Sequence, residues 1–298
     1  MDIVDELKAF VATAQTGSFT AAADQLAVSN RLTSKYVAEL ETRLGVRLLQ
    51  RTTRKVGLTP AGEDLLARAP ALLDDLDELL GDISEGSRGF SGVIRISAPV
   101  TFGEIYLAGM LGRFAADHPD LIIDLRLSDS FVDLATEGID LAFRIGTTDT
   151  LSIKTRKLGE MAALLAASPD YLARNGTPLT PRDLAGHSFI VDTNRRTPRR
   201  SVLQVGGAEV VVPIKGQMHV NSARAAVALA AAGHGIVHSL KFAMCDDLGA
   251  GRLVTLLDDI AGGTNPVNAI YLEGRILPKK VRALIDFAAQ DIRLANIL

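Results

Sequence analysis

The chain is short of cysteine, of tryptophan and of long apolar runs. Its 298 residues include one cysteine, Cys245, and no tryptophan. A lone thiol excludes a disulfide framework and any zinc or iron–sulfur site built from the cysteines of one chain, and it suits a reducing compartment. The most apolar later stretch, 225–240, is broken by Gly233, His234, Gly235 and His238, so it makes a poor membrane span. The opening "MDIVDELKAFVATAQTGSF" carries Asp2, Asp5 and Glu6 and spaces its apolar positions as a helix does, unlike a signal peptide. The expected location is the cytoplasm, with no membrane partner.

Catalytic patterns are missing too. His118, His187, His219, His234 and His238 include no pair with a carboxylate at the spacing of a helical metal motif, and His234 and His238 flank Gly235, where a helix has ended. There is no Gly-x-Ser-x-Gly elbow and no phosphate loop closing in Gly-Lys-Ser or Gly-Lys-Thr. "GGTNP" at 262–266 reads as a crossover loop. The expectation is a protein that is not an enzyme and has no catalytic residue, metal or cofactor.

What is present is a chain long enough for two or three domains, with hydrophobic (47%) and charged (22%) fractions that fit a globular protein rather than a disordered one. A net charge of −3 would argue against nucleic acid if it were evenly spread, and it is not. Between 31 and 55 lie Arg31, Lys35, Arg43, Arg47, Arg51, Arg54 and Lys55 against Glu39 and Glu41. From 63 to 85 the acids dominate, with Arg68 the single base.

The first sixty residues spell out a small helical domain. Ile3, Leu7, Phe10, Val11 and Ala14 share a helical face that Gly17 ends. Ser18 caps a second helix reaching Ala27, packed by Phe19, Ala22, Ala23 and Leu26. Ser29 caps a third, "SNRLTSKYVAELETRLG", whose inward positions are Thr33, Val37, Leu40 and Leu44 and whose stop is Gly45. Its opening turns expose Asn30, Arg31, Ser34 and Lys35. The runs 46–51 and 55–59, joined by "TTR", form a hairpin with basic residues near its tip.

A capped helix exposing polar and basic residues after a tight joint, followed by a basic hairpin, describes a winged helix-turn-helix. Such a helix enters the major groove N-terminal end first, where Arg pairs with guanine, Asn with adenine, and a methyl from Thr33 or Leu32 meets that of thymine. Lys35 and the wing bases neutralise phosphate. Charge alone favours a solvated face; helix, turn and wing in register reverse that and decide for DNA. The DNA-binding set is Ser29, Asn30, Arg31, Thr33, Ser34, Lys35, Arg51, Thr53 and Arg54.

From 59 to 86 one longer helix is expected, started by Pro60, with Leu65, Ala69, Leu72, Leu76, Leu79 and Ile83 spaced as the seam of a two-stranded coil and Pro70 placed to kink it. The alternative is a helix lying on its own domain. After "GSRGFSG" at 86–92 come strand-like runs at 93–97, 122–127, 140–145, 189–191, 217–220, 235–239, 253–257 and 268–272, with helices at 103–116, 222–232 and 279–295. That alternation predicts α/β architecture with mainly parallel strands.

On these residues the chain resembles the LysR-type transcriptional regulators. "FVATAQTGSFTAAADQLAVSN" and "LETRLGVRLLQRTTRKVGLTPAG" match the family's N-terminal signature. "DLATEGIDLAFRIG", "ASPDYLARNGTPLTPRDLAGH", "NSARAAVALAAAGHGI" and "LPKKVRALIDF" resemble the effector domain of one large subgroup. Asn30 and Arg31 depart from the family's usual Gln or Pro followed by Ser or Pro, and Leu32 and Thr33 stand where Ala and an aliphatic residue are usual, so no operator sequence carries over.

The resemblance implies an all-α winged helix-turn-helix at 1–58, a dimerising linker helix at 59–86 and, at 91–298, an α/β domain of two lobes similar to type 2 periplasmic binding proteins. Lobe one comprises about 91–161 and 267–298, and lobe two about 162–266. It implies a regulator of double-stranded DNA acting on an interrupted palindromic operator as a homodimer or homotetramer, with RNA polymerase a further partner. A small effector in the cleft between lobes, a small anion by the family's habit, controls DNA binding or bending. Strand ends that meet helix N-termini suit an anion. These are Thr101 and Phe102, then Ser130 before a short helix, then Asn221 and Ser222. Arg144 adds a countercharge. Phe102 could instead be core, Ser130 and Asn221 helix caps, and Arg144 a partner of Asp129 or Asp140. The competing class is a two-lobed small-molecule binding protein or transferase without DNA function, which leaves the first ninety residues unexplained.

Overall fold

The computed structural model describes residues 2–51, 56–83, 89–130, 133–135, 137–147, 153–258, 260, 263–273 and 277–295. The N-terminal unit is α1 (Ile3–Thr16), α2 (Phe19–Gln25) and α3 (Asn30–Leu44), then the antiparallel pair β1 (Leu49–Arg51) and β2 (Val56–Leu58). Each helix starts on a side-chain cap: Asp2 accepts from the Val4 amide, Ser18 from Ala21 and Ser29 from Leu32. Gly17 (φ 64°) and Gly45 (φ 70°) end α1 and α3 in the left-handed conformation that a side chain would strain. Phe10, Ala22, Val37, Leu40 and Leu48 are sealed inside. Removing any of the larger ones from water contributes about 1.5–3 kcal/mol. Leu44, expected inward, is 46% exposed, because the apolar stripe runs off the packed face one turn earlier.

The wing is fastened by Glu41. This buried carboxylate accepts the backbone N–H groups of Leu48 (2.8 Å) and Leu49 (3.1 Å) and pairs with Arg47 (3.1 Å). Thr59 donates its hydroxyl to the Arg47 carbonyl (2.7 Å) and accepts from the Gly62 amide (3.1 Å), joining the wing to the next helix. Gly62 has no alternative, since a Cβ there would overlap the Leu48 carbonyl oxygen.

That helix, α4 (Pro60–Ile83), runs through Pro70 as one element. Ala69 and Leu73 are buried, and with Leu65 they pack into the N-terminal core. Leu72 is 58% exposed. The expected seam is therefore divided: Leu65 and Ala69 turn to their own domain, whereas Leu72 faces away. The side chains of Leu79 and Ile83 lie outside the described residues.

Next come β3 (Gly92–Ala98), α5 (Val100–Phe102), a π-turn at Gly103–Leu107, α6 (Ala108–Ala116), β4 (Leu121–Leu127), β5 (Leu141–Ile145) and the fifteen-residue β6 (Ile153–Ala167). Lobe two holds α7 (Pro169–Asn175), β7 (Ser188–Asp192), β8 (Arg200–Val205), β9 (Ala208–Pro213), β10 (Lys215–Val220), α8 (Ala223–Ala231), β11 (Val237–Leu240), α9 (Cys245–Gly249) and β12 (Val254–Leu256). The chain returns through β13 (Thr264–Leu272) and closes with α10 (Lys279–Leu294).

In the main sheet the order is β11-β6-β13-β5-β3-β4, with β12 also on β6. β3 runs parallel to β4 and β5, and β7 parallel to β10. The remaining strand pairings are antiparallel, so the expectation of mainly parallel strands needs correction. The reason is β6. Its first half pairs with β13 and its second half with β11 and β12, so one strand crosses between lobes against its neighbours. The segment 264–266, expected as loop, is the start of β13. α6 and α10 cover the lobe-one sheet with Met110, Phe114, Leu284, Ile285 and Ala288. α8 covers β7 and β10 with Ala226, Val227 and Ala230. Gly216 lies so close to the Phe189 carbonyl that any Cβ would collide with it, which fixes β10 against β7.

Candidate nucleic-acid interface and ligand cleft

Helix α3 is held so that its first turn projects. Thr33 is fully buried, with its hydroxyl donating to the Ser29 carbonyl (3.2 Å), and Val37 and Leu40 continue the same inward face. Helical spacing then turns Asn30, Arg31 and Lys35 outward, and all three are exposed; Ser34 is half-buried. Burial removes Thr33 from the expected base-reading set, because a methyl sealed under α3 cannot reach a groove. The Asn30 amide donates to the Thr20 hydroxyl (2.9 Å), tying α3 to α2, and Thr20 is a positioning residue that helical spacing alone did not single out. Arg31 makes no ion pair among the described residues. Lys35 reaches Glu39 only at 3.8 Å, one turn along an exposed face, where such pairs contribute little.

Behind this face Arg43 binds Glu6 through two hydrogen bonds (3.0 and 2.9 Å), clamping α3 to α1. The Arg43 hydrogen bond holds the Glu6 carboxyl below its usual range, against the opposing effect of burial. Of the wing residues, Thr53 and Arg54 lie outside the described residues, as does the side chain of Arg51.

The second site lies where β3, β4, β7 and β10 end. Asp129, just past β4, accepts the Val100 amide at the start of α5 (3.0 Å) and, through its other oxygen, the Asn194 amide nitrogen (3.1 Å). Asn194 follows β7 in lobe two and also donates to the Asn221 carbonyl (2.6 Å). Its own backbone N–H is accepted by Asp192 (3.0 Å). A second bridge runs from the Arg196 guanidinium to the Thr147 hydroxyl (3.1 Å). The segment after β7 thus supplies two side-chain bridges between the lobes, and Arg224 of α8 adds an ion pair to Glu104 at 3.6 Å.

Arg144 is half-buried at the end of β5, and its guanidinium donates to the Ser97 hydroxyl (2.9 Å) and the Phe143 carbonyl (3.1 Å). It contacts neither Asp129 nor Asp140 directly; Asp140 instead accepts the Arg95 amide (3.0 Å). Burial pulls its pKa below the ordinary value, and Asp129 and Glu137 pull the other way from a distance. Arg195 is likewise half-buried; it donates to the His238 carbonyl (3.2 Å), and burial lowers it too, with Asp192 opposing. Burial pushes Asp192 up, and the negative charge of Asp129 adds to that rise.

Several expected cleft residues behave differently. Phe102 is fully buried among the rings of Tyr106, Phe143 and Phe242, so it is core and no ligand contact. Thr101 is 5% exposed at the start of α5. Ser222 caps α8 by accepting the Ala225 amide (3.3 Å). Ser130 and Asn221 are exposed, and the short helix expected after Ser130 falls in part outside the described residues. Asn194 and Arg195 were missed; the signal was a strand ending in "VDTNRR", charged residues at the carboxyl end of a parallel strand, where α/β proteins place ligand contacts. No helix among the described residues is long and apolar enough to cross a membrane.

A winged helix-turn-helix joined to a two-lobed α/β domain, with an exposed basic helix end in one and charged groups between the lobes of the other, defines a ligand-responsive DNA-binding regulator. Comparison with known proteins gives the family. Residues 4–63 match the bacterial regulatory helix-turn-helix protein, lysR family, and residues 87–293 match the LysR substrate binding domain. An HTH-type transcriptional regulator of Haemophilus influenzae is 36% identical over 95% of this chain and 99% of its own length. The regulator PtxR of Pseudomonas aeruginosa is 34% identical over 95% and 91%. Among solved structures, CrgA of Neisseria meningitidis aligns with a TM-score of 0.62 at 29% identity, over 96% of this chain and 98% of that one. The full-length virulence activator AphB of Vibrio cholerae aligns at 0.60 and 29%, over 97% and 99%. The chain belongs to the LysR-type transcriptional regulators. It is a DNA-binding regulator with an effector-binding domain and not an enzyme, which disposes of the carrier or transferase alternative.

Proposed function

We propose that residues 1–58 read an interrupted palindromic operator in the cytoplasm, that 59–86 join two or four copies, and that a small anion between the lobes of 91–298 sets the DNA bend seen by RNA polymerase. The observation that carries the DNA reading is the outward end of α3, where Asn30, Arg31 and Lys35 are exposed while Thr33 is sealed beneath them. Arg31 has the free guanidinium that guanine reading requires, and Asn30 keeps one amide hydrogen and its oxygen for adenine after bonding Thr20.

For the anion, the support is electrostatic. Arg144 and Arg195 are two half-buried guanidiniums whose direct partners are neutral oxygens, and a charge withdrawn from water is stabilised when an opposite charge reaches it. Asp129 occupies the amide at the start of α5 that a ligand carboxylate would otherwise take, so a ligand must enter by displacing the Asp129–Asn194 bridge. Thermal denaturation of the full chain across a panel of small carboxylic acids tests this, because a ligand that binds only the folded state raises its melting temperature. The reading expects a stabilising acid whose effect is lost in Arg144→Gln and in Ser130→Ala with Asn221→Ala, while a gel shift on operator DNA persists. Stabilisation that survives both variants removes the ligand from the cleft. A gel shift lacking steep salt dependence removes the DNA reading instead.

A further inference from the structure

We propose that lobe two carries a second ligand site, beside the cleft on the segment after β7, that takes a phosphate ester of a small apolar or aromatic body. The segment "DTNRRTPRR" at 192–200 sets four arginines within six residues of a chain whose net charge is −3. Two of them have structural duties: Arg195 donates to the His238 carbonyl (3.2 Å) and Arg196 to the Thr147 hydroxyl (3.1 Å). Arg199 and Arg200 are exposed, and their side chains make no ion pair or hydrogen bond among the described residues. Both line a cavity of about 390 Å³ together with Thr193, Thr197, Pro198 and His219. Val191, 1% exposed, belongs to the lining, and no acidic side chain among the described residues takes part in it.

The frame beneath these groups is fixed. The Arg200 amide donates to the Thr197 carbonyl (3.1 Å), and the Arg199 carbonyl accepts from Ile214 (3.0 Å). Thr193 is held by the Val220 carbonyl through both its amide (2.7 Å) and its hydroxyl (3.0 Å). His219 stands opposite Val191 in the parallel pair β10–β7, with its ring against the Gly216 carbonyl (3.2 Å). The planar fork of an arginine matches a phosphate oxygen by oxygen, and Thr193 and Thr197 belong to the same lining. Val191 and Pro198 offer the apolar surface that an organic body needs, and the volume falls in the range of small-molecule pockets, roughly 300–1,000 Å³. A depression lined by Val191 and Pro198 beside the two arginines offers apolar surface that a small molecule can use and the DNA backbone cannot.

The site also has a route to the rest of the protein. Asn194 and Arg196, which reach lobe one, belong to the same short segment as Arg199 and Arg200. An occupant that orders the segment favours the bridged arrangement of the lobes, and by linkage the bridge favours the occupant.

Isothermal titration calorimetry of the full chain with phenyl phosphate, compared with inorganic phosphate and benzoate at matched ionic strength, tests the proposal. We expect saturable binding at one site per chain, tighter for phenyl phosphate than for the other two, and weakened about tenfold or more in Arg199→Ala with Arg200→Ala, where both forks are gone. Arg199→Lys with Arg200→Lys keeps the charge and retains part of the affinity. Arg144→Gln, on the other lobe, leaves it unchanged, so failure of the cleft reading would not touch this one. Three results would overturn the proposal: no saturable heat with phenyl phosphate; undiminished binding in the double alanine variant; or loss in Arg144→Gln, which places the probe in the cleft. Loss of DNA affinity alone in the double alanine variant, with probe binding intact, would assign the two arginines to DNA.

Discussion

Asp129 and Asn194 face each other across the cleft and share a hydrogen bond of 3.1 Å, while the other oxygen of Asp129 holds the first amide of α5 at 3.0 Å. One carboxylate therefore couples a helix start in lobe one to an amide in lobe two. Replacing Asn194 by Ala removes the bridge and leaves Asp129 in contact with water. A hydrogen bond so exposed is worth about 1 kcal/mol net, which amounts to about a fivefold shift toward separated lobes. Amide hydrogen exchange over residues 100–107 should quicken by about that factor while exchange in α1 stays as it was. Unaltered exchange at 100–107 would mean that the bridge does not restrain the lobes.

The exposed end of α3 divides into base and phosphate contacts. Arg31→Ala should cost about 1–3 kcal/mol on the specific operator and little on an unrelated duplex. Lys35→Ala should weaken both duplexes alike and lower the salt slope by about one. Thr33→Val should leave base preference as it was, because Thr33 is buried and its hydroxyl serves only the Ser29 carbonyl. Fluorescence anisotropy on matched and mismatched duplexes over a salt series separates the three. Equal losses from Arg31→Ala on both duplexes would make that arginine a phosphate contact.

The N-terminal unit was legible because every instruction in it is local. Ser18 and Ser29 cap, Gly17 and Gly45 stop, and the apolar stripes fall at helical spacing, so Phe10, Val37 and Leu40 could be named as core from the sequence alone. Leu44 marks the limit, since a stripe tells which face is inward but not how far along the helix the packing partner extends. In the two-lobed domain eight strands were legible as apolar runs, but β6, β8 and β9 were missed and the strand directions were not legible. The long β6 was not read as a strand because its first half, "IKTRKLGE", is charged and exposed, and only its partners β13 and β11 reveal that it crosses between lobes. The cleft was the least legible part, because Asp129 and Asn194 are 65 positions apart and no spacing rule relates them.

Leu72 offers a test of assembly. It is 58% exposed on α4, whereas Ala69 and Leu73 on the adjoining face are buried against the N-terminal core. Leu72→Lys changes nothing that the folded chain itself buries, so its effect on stability should stay within about ±0.5 kcal/mol. If α4 joins two copies along this face, the charge must be desolvated at the seam and the dimer should dissociate at micromolar concentration in sedimentation velocity. An unchanged sedimentation coefficient would move the dimer contact to another surface.

Glu6 and Arg43 make acid stability predictable in sign. Their two hydrogen bonds hold the Glu6 carboxyl below its usual pKa, so the folded chain binds this proton less readily than the unfolded chain does. The contribution is therefore complete above the ordinary carboxylate range and lost as pH falls through the lowered value of the folded state. Arg43→Met removes the partner while keeping most of the aliphatic stem. The variant should melt below the wild type at neutral pH, and the gap should narrow steadily as pH drops below about 4, where Glu6 protonates in both states. Melting curves recorded from pH 7 down to about 3 would show this, read from the N-terminal transition. A gap that stays constant over the whole range would mean that Arg43 contributes by packing against α1 and not through the charge on Glu6.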